Sequence, residues 1–154
     1  RVYSDKNNGD IRSNGIKEAQ KTLLSLSAYN DKILKAVFDV VKPEDFQEGV
    51  YRRLAENIYM DSMEGRKSEP ADMVSRFETL EEQNTAAAVF AVKNKISDMN
   101  KLEKFLTENV RLLKKSRIDG LLAEAGTAEE IKSLIDLKRK TDELNITIAD
   151  SKQY

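Results

Sequence analysis

The sequence predicts an all-α chain: an N-terminal helical bundle, then a long helix and a C-terminal helical hairpin. Three observations carry that expectation. From Ile16 onward, apolar residues recur at spacings of three and four, the period of a helix burying one stripe. Helix-start and helix-stop residues, among them Pro43, Gly65, Pro70 and Gly126, punctuate these stretches. Strand-like alternation is missing, apart from the short β-branched run Ile146, Thr147, Ile148.

Residues 1–15 hold little apolar content and several turn formers, and read as a linker or disordered end. The chain starts at Arg1 rather than Met, so a fragment of a larger protein is expected. A bundle subdomain is expected over 16–99. Its first helix buries Ile16, Ala19, Leu23 and Leu26. Ile33, Leu34, Val37, Phe38 and Val41 form a second stripe, stopped at Lys42 because proline disfavours a helical residue before it. Pro43, Glu44, Asp45 and Phe46 read as a proline-started helical turn with acids near its positive end. A third helix should run from about Glu48 to Met63 and end near Gly65. Ser68 and Pro70 start the next, with Met73, Val74 and Phe77 inward. Residues 81–99 give another, with Ala86, Val89, Phe90 and Ile96 inside and the alanine run 86–88 pointing to close helix contact.

Residues 100–154 read as a second subdomain, a long helix and hairpin. From Lys101 to Ala125 the apolar stripe holds Leu102, Phe105, Leu106, Val110 and Leu113, then slips before Ile118. Gly120 costs about 1 kcal/mol against alanine inside a helix, so a kink or break is expected near Ser116–Gly120. Gly126 stops the helix, and Thr127 with Glu130 has the form of a capping box for the last one. That helix carries Ile131, Leu134, Leu137, Thr141, Leu144 and Ile148 in a narrow seam.

Composition excludes whole classes of chemistry. The 154 residues include no Cys and no His, which removes disulfides, thiol nucleophiles, Cys/His zinc sites and imidazole acid–base catalysis. Neither standard Gly-rich phosphate loop is present, and a di-iron carboxylate bundle would need the missing histidines. No cofactor and no metal are expected. Charged residues make up 34% of the chain but balance to a net charge of -1, against a general nucleic-acid binder. No apolar run is long enough to span a membrane.

The candidate motifs are mostly helix chemistry. Arg52 and Arg53 sit among Tyr51, Leu54 and Tyr59, which could form a stacking and phosphate-binding face. At the helical period, however, Val50, Tyr51, Leu54, Ala55 and Ile58 share one side, while Arg52, Arg53 and Glu56 share the other. An amphipathic core helix with an Arg52–Glu56 pair is the expectation. The carboxylate pairs Glu44/Asp45, Glu81/Glu82 and Glu129/Glu130 each fall near a helix start, where acids complement the dipole. The basic runs Lys114, Lys115, Arg117 and Lys138, Arg139, Lys140 alternate with Asp119, Asp136 and Asp142. They make either a solvated face or a partner surface.

The order of certain segments resembles the C-terminal, helicase-binding domain of bacterial DNA primases of the clostridial type. The segments are Leu23, Leu24, Leu26 and Asn30, then Pro43 to Phe46, then Tyr51, Arg52, Arg53, Leu54 and Ile58. Glu82, Gln83, Asn84, Ala86 and Ala87 follow, and the chain closes with Leu134, Ile135, Leu137, Lys138 and the run Asp142 to Ile148. The resemblance spans about residues 17–148. Asn145 departs from it, standing where related endings often carry a histidine; an amide cannot titrate there.

The resemblance implies a bundle similar to the N-terminal domain of the replicative helicase. It also implies a hairpin that grips the N-terminal domains of that hexameric helicase in the bacterial cytoplasm, recruiting primase to the replication fork and modulating the helicase. On that reading the fragment is not itself an enzyme, although its parent would be a DNA-directed RNA polymerase. It binds little nucleic acid directly and is a monomer alone. The expected partner-binding residues are Leu134, Leu137, Lys138, Thr141, Leu144, Ile146 and Ile148, with Arg52 and Arg53 as modulating contacts. The alternatives are the helicase's own N-terminal domain or another helical protein-interaction module, and after these a nucleic-acid-binding module.

Overall fold

In a computed structural model the backbone is described over residues 2–93 and 95–148, and side chains from Asn14 onward. The described residues form seven α-helices and one 3-10 turn, with no strand. The helices are α1 (Val2–Tyr29), α2 (Asp31–Phe38), α3 (Val50–Met63), α4 (Pro70–Ser75), α5 (Leu80–Phe90), α6 (Met99–Glu124) and α7 (Ala128–Thr141). The 3-10 turn covers Pro43–Asp45, between α2 and α3.

Local chemistry sets most boundaries. Asn30 separates α1 from α2: its Oδ1 accepts from the backbone N–H of Lys32 at 2.9 Å and of Ile33 at 3.1 Å. Asp45 Oδ2 accepts from Lys42 N–H at 2.9 Å and fixes the proline-started turn. α3 ends in a Schellman motif, with Gly65 at φ 74° and Arg66 N–H donating to Asp61 O at 2.8 Å. Thr79 caps α5 through Glu82 N–H, and Asp98 caps α6 through Lys101 N–H.

The core joins α1, α2, α3, α4, α5 and the first half of α6. Leu23, Leu24, Val37, Phe46, Leu54, Ile58, Met73, Val89 and Leu106 sit at its centre. Most inward residues expected of the early helices are buried, including Ile16, Ala19, Ile33, Phe38, Tyr51 and Ala55, while Leu34 and Val50 are half-buried at the edge of the core. The expected boundary between residues 99 and 100 cuts through this core, because Leu102, Leu106, Val110 and Leu113 belong to it.

Several expectations need correction. α1 starts at Val2, so the helix continues back through the stretch read as a linker; no proline interrupts it, and each added residue closes another backbone bond onto a helix already anchored by packing. The side chains of 2–13 lie outside the described residues, as do residues 149–154 of the expected second subdomain. α5 stops at Phe90 rather than running on to 99. In the alanine run only Ala86 is buried. α6 passes through Ser116–Gly120 without a break. Its apolar stripe slips there because its packing partner changes: the first half faces α1, the second half faces α7. Gly120 is exposed and a Cβ would meet nothing within 4 Å.

The ending also departs from the seam reading. α7 ends at Thr141, and residues 142–148 continue in its direction along α6, without helical structure, towards the start of α6. Ile146 N–H donates to Thr107 Oγ1 at 2.9 Å, and Ile148 N–H donates to Glu103 Oε2 at 2.7 Å. Arg111 Nε donates to Leu144 O at 2.9 Å. These bonds satisfy backbone groups that lie outside any helix, and they seat Ile146 and Ile148 in the core at 4% and 2% exposure.

Candidate partner-binding surface

α7 begins where the sequence says it should. Thr127 Oγ1 accepts from Glu130 N–H at 3.1 Å. The Glu130 carboxylate returns to the Thr127 hydroxyl at 3.1 Å and to Gly126 N–H at 3.2 Å, one residue earlier than the usual capping-box partner. Lys138, Arg139 and Lys140 occupy the last turn, where positive charge suits the dipole.

The helix then packs chiefly on α6. At about 100° per residue, Ile131, Leu134, Ile135, Leu137 and Thr141 span an arc of roughly 160°. One neighbouring helix cannot cover an arc that wide. α6 covers its centre, so Thr141 is buried and Leu134 half-buried. The flanks stay in water: Leu137 is 50% exposed on one side, and Ile131 and Ile135 are 40% and 46% exposed on the other.

The Leu137 flank is a groove of about 320 Å³. Val40, Ile118, Leu121, Leu137 and Leu144 form its apolar lining, and Lys114, Arg117 and Lys140 stand at its rim. Asp45 pairs with Lys114 at 3.0 Å and ties this rim to the 3-10 turn. Towards the hairpin tip, Leu121 and Leu134 line a second cleft of about 520 Å³ with Glu124, Glu129 and Glu130. The surface therefore changes from basic near the bundle to acidic at the tip.

Two ion pairs hold the hairpin closed. Lys138 Nζ lies 2.6 Å from Asp119 Oδ1, and Lys115 pairs with Asp142. The Lys115 hydrogen bond holds the Asp142 carboxyl below the usual carboxylate range. Loss of water around the group opposes this, and the charges of Lys115, Arg111 and Lys138 reinforce it.

The expected site residues divide accordingly. Leu137, Thr141 and Leu144 meet in the groove, Leu134 lines the tip cleft, and Lys138 is engaged with Asp119 between them. Thr141 contributes little to a partner because it is buried and its hydroxyl donates to Leu137 O at 3.0 Å. Ile146 and Ile148 are not surface residues at all: the core takes them. Asn145 Oδ1 lies 3.4 Å from the Arg111 guanidinium, so the amide helps hold the tail.

Arg52 and Arg53 are both taken up within the bundle. Arg52 turns away from Glu56; its Nε donates to Phe46 O at 2.9 Å and its terminal nitrogen to Glu44 O at 3.2 Å. Arg53 lies 3.3 Å from the Glu82 carboxylate, with its guanidinium 4.4 Å from the centre of the Phe77 ring. Their side of α3 is polar, as the period predicts, but their charges brace neighbouring segments.

Three surface residues escaped the sequence reading. Ile135 lies four residues after Ile131, a spacing that already widens the seam. Leu121 continues the apolar stripe of α6 beyond Ile118, and Val40 reaches the groove only through tertiary packing. Among the described residues no group of three or more Asp or Glu could hold a metal ion, and no helix is long and apolar enough to cross a membrane. The chain matches no protein-family model, no curated protein and no solved structure.

Proposed function

We propose that this chain is the helicase-binding domain of a bacterial DNA primase: a non-catalytic module that docks through its α6–α7 hairpin on the N-terminal domains of the hexameric replicative helicase. In the cytoplasm it would bring primase to the replication fork and modulate the helicase. The observation that carries the docking role is α7 itself, a well-capped helix with large aliphatic side chains exposed on both flanks of its contact with α6. Such flanks are the form in which an apolar anchor meets a partner helix, and the charged rims would set its orientation. The sequence resemblance supplies the identity of the partner.

The test is direct. The wild-type chain, mixed with a cognate replicative helicase, is expected to co-elute with it and to stimulate its ATPase. Leu137→Asp combined with Ile131→Asp should abolish both while the chain keeps its melting temperature within a few degrees. Absence of wild-type co-elution, or undiminished co-elution of the variant, refutes the proposal. Deleting everything after Ala125 is a poor substitute, because it also takes Ile146 and Ile148 out of the core.

A further inference from the structure

A second apolar recess lies well away from the hairpin. One part, of about 480 Å³, is lined by Leu26, Tyr29, Asn30, Ile33, Phe90, Val92 and Lys93. The adjoining part, of about 190 Å³, shares Leu26, Val92 and Lys93 and adds Ile96, Phe105 and Lys95. Together they make one trough between the end of α1, the start of α2 and the segment that links α5 to α6. Along α6, Phe105 and Leu121 are sixteen residues apart, about 24 Å, so an occupant of the hairpin leaves the trough free.

The walls are set before any ligand arrives. Ser25 Oγ donates to Val92 O at 2.7 Å, and the Tyr29 hydroxyl donates to Phe90 O at 3.1 Å, pinning the linking segment to α1 at two points. The Tyr29 ring meets Phe90 edge-on, with centroids 6.4 Å apart, yet remains 59% exposed. An aromatic ring fixed at its hydroxyl end and open on its face offers contact area at little cost in conformational entropy.

Charge selects the occupant. The charged side chains lining the trough are Lys93 and Lys95. Both are exposed, neither makes an ion pair with a described residue, and no carboxylate lines the recess. Thr22 to Tyr29 on α1 covers about 10.5 Å, about two turns of helix. We propose that this trough is a docking groove for a short acidic amphipathic helix of a partner protein, which would place two apolar anchors one turn apart on the accessible side chains of Tyr29, Val92 and Phe105 and set carboxylates against Lys93 and Lys95. This site is independent of the hairpin reading.

The test uses the full chain, labelled with nitrogen-15, and an acetylated leucine–glutamate peptide of about 12 residues with leucines at helical spacing of three and four. Its probes are a scrambled peptide and a leucine–lysine version of the same pattern. The acidic peptide is expected to shift the amides of Leu26, Tyr29, Ile33, Val92 and Ile96 saturably and to leave those of Leu121 and Leu137 in place. Lys93→Glu combined with Lys95→Glu should weaken this binding about tenfold or more. Saturable shifts absent from the trough, equal response to the lysine peptide, shifts gathered on the hairpin instead, or an unaffected double variant would each overturn the proposal.

Discussion

Ile146 and Ile148 offer the sharpest test of how this chain is built, because the sequence invites a surface role and the structure gives a core one. Replacing either by alanine removes three buried carbons. At about 0.8 kcal/mol for each buried methylene, transfer alone costs roughly 2.4 kcal/mol. The neighbours relax only partly around the cavity, which places the measured loss in the range of about 2–5 kcal/mol per site. Ile148 is 2% exposed and closes against the same cluster as Leu102 and Leu106, so the upper half of that range is expected there. In a domain of this size each kilocalorie lowers the melting temperature by about 2–4 °C, so a drop of roughly 4–20 °C should accompany each variant. Urea titration followed by circular dichroism measures the free energy, with an unchanged slope showing that the unfolded state is the same. Leu137→Asp is the control, with a change of about 0.5 kcal/mol or less expected at an exposed flank. A loss below about 1 kcal/mol for Ile148→Ala would refute the reasoning, since no fully packed isoleucine is lost so cheaply.

Arg52→Ala should destabilise the chain by about 2 kcal/mol in the same titration, because two charge-assisted bonds to backbone carbonyls of the 3-10 segment disappear. Thr127→Ala should cost about 1 kcal/mol and speed amide exchange at the start of α7 first, which locates the loss at the cap. Asp61 supplies a pH signature. Burial pushes its carboxyl up, but hydrogen bonds from Ser68 and Arg66, with the charges of Arg66 and Arg76, outweigh that and hold it below its ordinary value of 3.8. A carboxyl lowered by folding contributes stability above its unfolded pKa and loses it as pH falls through the folded one. Melting temperatures taken from pH 7 down to pH 3 should therefore fall less steeply in the acid limb for Asp61→Asn than for wild type, from a lower starting value. Equal slopes would show that Asp61 is not a source of acid sensitivity.

The sequence alone determined the class and most of the element boundaries, because those depend on neighbours a few residues apart. The Thr127 cap, the proline-started turn and the glycine stop after α3 are all closed by bonds spanning five residues or fewer. The inward side of α3 followed from periodicity for the same reason. Tertiary structure decided what lies beyond that reach. Ile146 and Ile148 carry the same apolar pattern whether they face a partner or the core, and only Thr107 and Glu103, about forty residues earlier, draw them inward. The slip in the α6 stripe marks a change of packing partner, from α1 to α7, and not a break in the helix. Arg52 reads as a surface charge until Phe46 and Glu44 present their carbonyls to it. Period and capping are properties of one segment, whereas burial is a property of whichever segment arrives to cover it. That is why α7 was legible in the sequence, and which of its sides stays open was not.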